Sequence, residues 1–112
     1  MRRSVAIIGI VSTLSLSACA KRPDAIVPVD IPMAAYTGQS CPSLASELKN
    51  EQDKLASLSK SQNSAATGDA VGVFLVGVPM SSVAGGDREG DIAVSKGKVL
   101  SIQNTIKAKG CK

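Results

Sequence analysis

Cys41-Pro42-Ser43-Leu44-Ala45-Ser46-Glu47-Leu48 opens the stretch that decides the fold. Proline is tolerated in the first turn of a helix, so Pro42 marks a start rather than a break. Leu44, Leu48, Leu55 and Leu58 then follow in steps of three, four or seven residues. Those steps place them on one face of an α-helix, and Cys41, Gln62 and Ala65 extend the same stripe. Serine, lysine, glutamate and asparagine occupy the other faces. Thr67-Gly68-Asp69 reads as the stop signal of this helix.

A second helix is expected after Gly85-Gly86, with Asp87 as its N-cap and Glu89 and Asp91 in its first turn. Ile92, Val99 and Ile106 recur every seven residues, and Ile102 fills the intermediate position. Gly110 is a suitable terminator beyond Lys107 and Lys109. Gly90 and Gly97 share a face with Ala93, away from the apolar stripe. Either another backbone approaches that face or the helix simply tolerates its glycines. Each helix comes to about 23 residues, roughly 35 Å. Folded antiparallel, they bring Cys41 to Cys111. The expected fold is therefore mainly α: a two-helix antiparallel hairpin closed by a disulfide, spanning 41–112.

The N-terminal part reads differently. Arg2 and Arg3 precede an apolar run from Val5 to Leu16, too short for a comfortable membrane span. Leu16-Ser17-Ala18-Cys19 resembles the lipobox of bacterial lipoproteins. The resemblance implies a signal peptide over 1–18, cleavage before Cys19, and a diacylglycerol on the Cys19 thiol with a further acyl chain (palmitate or its like) on the new amine. Several acyl chains hold a protein on a membrane where one does so only marginally. The competing reading is an ordinary secreted protein with Cys19 free or paired. Acylation of Cys19 leaves Cys41 and Cys111 to pair in an oxidising compartment.

Residues 19–40 form an extended tether in which Pro23, Pro28 and Pro32 each disfavour helix. It either lifts the domain off the membrane along a polyproline-like path or lies against the domain through Ile26, Val27, Val29 and Ile31. Residues 70–84 are apolar on every side, with Phe74, Leu75 and Val76 at the centre of the run. This tip segment would extend the first helix and turn at Gly77-Val78-Pro79, form a buried strand, pack against a copy of itself, or dip into a membrane.

The chain carries 13 basic and nine acidic residues, a formal charge of +4, and no histidine. Loss of Arg2 and Arg3 with the signal leaves eleven basic against the same nine acidic residues, a charge near +2. Nucleic-acid binding has no support, since Tyr36 and Phe74 are the only aromatic residues and no basic stripe surrounds them. Lys96, Lys98, Lys107, Lys109 and Lys112 suit either a solvated helix face or an anionic lipid surface. Without histidine, the common nucleophile–base pairs are unavailable. No Gly-rich phosphate loop occurs, and Asp87, Glu89 and Asp91 lack the later glutamate of a calcium loop. No catalytic residue, metal ligand or cofactor is expected.

Cys41…Leu44…Glu47, an apolar run opened by Asp69 and ended at Pro79, then Ala93…Lys96-Gly97 and Cys111, resembles a group of small proteobacterial lipoproteins of uncharacterised function. These share a lipobox, a Pro-rich tether and a two-cysteine helical region. The likeness implies a compartment and an architecture but no activity. Ala20 follows the anchored cysteine, and the absence of aspartate there favours the outer membrane, facing the periplasm. The expectation is a lipid-anchored structural or interaction module at the cell envelope, with the membrane as one partner and a second copy or an envelope protein as another. The alternative is a membrane-active lipoprotein of lysis, exclusion or fusion type that inserts residues 70–84.

Overall fold

The computed structural model describes residues 19–78, 82 and 85–112. The lipobox residues before Cys19, and part of the apolar run beyond Val78, lie outside the described residues. Among the described residues two α-helices dominate: α1, Cys41–Val76, and α2, Glu89–Ala108. Two short 3₁₀ turns, Pro23–Ala25 and Met33–Ala35, punctuate the segment before them, and no strand occurs among the described residues.

Local chemistry explains the helix ends. The Ser40 side chain accepts the N–H of Ser43 at 3.3 Å, capping α1, and Pro42 occupies its first turn. At the other end of the molecule's sequence, Gly110 adopts φ 66°, which a glycine accepts without a Cβ penalty. The N–H of Gly110 donates to Lys107 O and that of Cys111 to Ile106 O, both at 3.1 Å. This is the paired bonding of a Schellman motif. It turns the chain so that Cys111 meets Cys41, where the expected disulfide is formed with a Cα–Cα distance of 5.6 Å.

α1 does not stop at Thr67-Gly68-Asp69. It has 36 residues against 20 in α2, so the two helices are not of equal length. Gly68 keeps a helical backbone, and the left-handed turn that ends α1 falls at Gly77, φ 75°, whose N–H returns to Val73 O. The Asp69 carboxylate is drawn away from the local backbone by distant partners, so it supplies no stop. Residues 70–76 are accordingly helical rather than a strand.

Side-chain burial follows the two stripes. Tyr36, Leu44 and Ile102 form one cluster, with Ile31, Leu48, Ile106 and Cys111 packed around it. Ile26, Ile92 and Val99 are also buried. Contacts between the helices pair Cys111 with Cys41, Ser95 with Glu51, and Arg88 with Gln62. A second, smaller cluster joins Ala20 to Ala65 and Ala66.

Residues 20–37 lie against the helices. The Val29 N–H donates to Ala93 O at 2.9 Å. A Cβ on Gly97 would stand 2.1 Å from Val29 O, so glycine is what admits this backbone. The face of Gly97 and Ala93 thus receives a backbone from the same chain, whereas Gly90 faces open space. Lys96 Nζ donates to Ile26 O at 2.8 Å and to Pro23 O, and Lys109 Nζ donates to Thr37 O and Gln39 O. Two lysine ammonium groups thus satisfy carbonyls of this segment, as three-donor groups can.

Candidate functional site

The residues next to Cys19 are joined to α1 and the start of α2 by several hydrogen bonds. Cys19 itself is exposed and its thiol is free. Ala20 is buried, and its backbone N–H donates to Asp69 Oδ2 at 2.7 Å. Asp69 is fully buried inside α1, and its Oδ1 also accepts the N–H of Ser82 at 2.7 Å. The Ser82 hydroxyl donates to Oδ2. A buried carboxylate requires such donors, because its desolvation is otherwise uncompensated.

One turn-pair earlier on the same face, Gln62 is fully buried. Its amide nitrogen donates to Lys21 O at 2.8 Å and to Asp87 Oδ1 at 2.9 Å. Its amide oxygen accepts the Arg88 N–H at 2.6 Å. One side chain therefore ties together the N-terminal segment, α1 and the entry to α2. Arg22 adds bonds to Asn63 O and Thr67 Oγ1, both at 3.1 Å. Lys21 forms an ion pair with Glu89 at 2.8 Å, and this hydrogen bond and charge hold the ammonium above its ordinary value. The pair is exposed, so it contributes little stability.

The acidic residues before and within α2 are engaged in structure. Asp87 Oδ1 accepts the Glu89 N–H at 3.0 Å as well as the Gln62 amide, and so serves the helix start from one residue outside the N-cap position. Asp91 approaches Arg88 at 3.7 Å. Among the described residues no group of three His, Cys, Asp or Glu side chains is placed to hold a metal ion.

Beyond Asp69, the last two turns of α1 present Val71, Val73, Phe74, Leu75 and Val76 to solvent. Phe74 is 88% and Leu75 70% exposed, the former higher than any other large apolar residue described. These apolar side chains are exposed together at one end of α1. No described helix is long and apolar enough to cross a membrane.

Sequence reasoning identified Cys19, Cys41, Cys111, Phe74, Leu75 and Val76. The structure joins Cys41 to Cys111 and exposes Phe74, Leu75 and Val76 on the helix that carries Asp69. In the sequence Asp69 stands as a stop signal and as the opening of the apolar run, and Gln62 as a member of a stripe, with no partner indicated for either. A glutamine and an aspartate seven residues apart on the buried face of an otherwise apolar stripe were the available signal. Comparison with protein-family models, curated proteins and solved structures gave no match.

Proposed function

We propose that this protein is a lipid-anchored, non-catalytic structural or interaction module of the bacterial cell envelope, held to the membrane through Cys19. In this reading α1 and α2 are the antiparallel arms of a hairpin, closed at one end by Cys41–Cys111 and bearing an apolar tip at the other. The pairing of Cys111 with Cys41, Ser95 with Glu51 and Arg88 with Gln62 supports that arrangement. The observation that carries the functional reading is Leu16-Ser17-Ala18-Cys19, a lipobox-like sequence with an exposed, unpaired cysteine. The disulfide between the remaining cysteines suits an exported chain. Outer-membrane residence facing the periplasm rests on Ala20 standing where an aspartate would favour retention.

Metabolic labelling with a fatty-acid analogue tests the anchor. The natural chain is expected to label and to fractionate with membranes, whereas Cys19→Ser should do neither. Equal labelling of both chains would refute the anchor. A second reading, a membrane-active lipoprotein, draws on the exposure of Phe74 and Leu75. Dye release from liposomes separates it from the first.

A further inference from the structure

We infer that the apolar end of α1 docks into the same bilayer that holds the Cys19 lipid, so that the protein grips one membrane at two adjoining points. The inference rests on the lipid-anchor reading and adds to it an orientation and a second contact. The Ala20–Asp69 bond places the attachment point beside Asp69, because Cys19 is the next residue along. A lipid on its thiol brings that level of α1 to the membrane surface. The Pro-rich segment then runs away from the bilayer along the helices and adds no spacer between anchor and domain.

From Asp69 to Val76 α1 advances seven residues, about 10 Å at the helical rise. Apolar helix faces at a membrane interface lie roughly 5–10 Å into the headgroup and acyl boundary. The reach of the helix beyond the anchor therefore matches an interfacial depth. Val71, Phe74 and Leu75, at i, i+3 and i+4, form its outer face. No charged residue occurs from Ala70 to Val78, so nothing in that stretch opposes entry. The helix ends at Gly77, whose N–H serves Val73 O. An apolar stretch of this length suits shallow docking and opposes spanning, since a spanning helix needs about 20 apolar residues.

A bilayer fits this surface better than a second copy of the chain. The lipid sets one end of every molecule at the membrane, and the apolar residues lie at that end. A protein partner seated there would have to occupy the space between α1 and the headgroups.

The chain contains no tryptophan, so Phe74→Trp gives a single emission site. Leu75→Trp is a second variant. Both side chains are largely exposed, so neither substitution opens a cavity in the buried clusters. The processed full chain would be placed in vesicles of phosphatidylethanolamine with a minority of phosphatidylglycerol, some carrying bromines high on the acyl chains. Fatty-acid labelling is read on the same samples. Labelled protein with blue-shifted emission, roughly halved by the shallow bromines, supports the inference. Leu100→Trp, on α2, should remain unquenched. Labelled protein with a water-like, unquenched spectrum overturns the docking while leaving the anchor intact. Blue-shifted but unquenched emission, with cross-linked dimers, overturns it in favour of a second copy. Unlabelled protein overturns the anchor itself, and with it this inference.

Discussion

The backbone N–H of Ala20 donates to the buried carboxylate of Asp69 across 49 residues of sequence. The bond fixes where the chain beside Cys19 joins the helices, and it accounts for an aspartate inside an α-helix that continues past it. Hydrogen bonds to a charged group contribute about 1.5–3 kcal/mol each when solvent is excluded. Asp69→Ala leaves the Ala20 and Ser82 donors without their carboxylate. We expect a loss of about 2–4 kcal/mol in chemical denaturation. Tryptic cleavage after Lys21 should accelerate in native buffer, because residues 20–22 are released from α1. Unchanged cleavage and stability would show that the bond does not hold this segment.

The disulfide closes a loop with a sequence separation of 70. On the chain-entropy model such a closure contributes about 4 kcal/mol. Replacing Cys41 and Cys111 together with serine should lower stability by about that amount and make unfolding easier under mild heating. Both cysteines are replaced so that neither is left as a lone thiol by loss of its partner. Calorimetry of the reduced natural protein should show a similar loss. Equal melting of the oxidised and serine forms would remove the staple from the stability argument.

Tyr36 supplies a pH dependence. Burial raises its phenol above the ordinary value, and the carboxylates of Glu47 and Glu51 act in the same direction. A raised folded value means that the neutral form is the one the fold favours. The associated stability is whole below the unfolded value near 10 and is lost as pH rises through the folded value. The natural chain should therefore lose more thermal stability between pH of about 9 and about 11 than Tyr36→Phe does. Parallel losses in the two proteins would place the alkaline transition elsewhere than at Tyr36.

The apolar stripes and the cysteine spacing were legible because they are local or countable. Leu44 and Ile102 are buried where helical periodicity placed them, and Cys41 and Cys111 were the two cysteines left to pair. The end of α1 was legible only as one of four readings of residues 70–84, the one that extends the helix to a turn at Gly77. Thr67-Gly68-Asp69 carries the composition of a stop, yet Asp69 finds its donors at Ala20 and Ser82, and local propensity contains no information about either. Gln62 was obscured for the same reason, since its partners Lys21 O, Asp87 and Arg88 come from two other segments. The course of residues 20–37 was left open because prolines exclude helix without choosing between solvent and a packed surface.

Two glycines of α2 test that packed surface against simple tolerance. Gly97 and Gly90 stand on the same helix and cost the isolated helix similar amounts, up to about 1 kcal/mol relative to alanine. Their surroundings differ. A Cβ at Gly97 would meet Val29 O at 2.1 Å and crowd the Ile31 side chain, whereas one at Gly90 meets nothing within 4 Å. Gly97→Ala should therefore displace residues 26–31 and weaken the Val29–Ala93 bond, with a net cost of about 1–3 kcal/mol. Gly90→Ala should be neutral or stabilise by up to about 1 kcal/mol, less because it lies in the first turn. Amide exchange at Val29 gives the site-specific readout: faster in Gly97→Ala and unchanged in Gly90→Ala. If both substitutions stabilised equally and Val29 stayed protected in each, the N-terminal segment would not be lodged against Gly97. The path that brings Cys19 to the Asp69 level would then have to be redrawn.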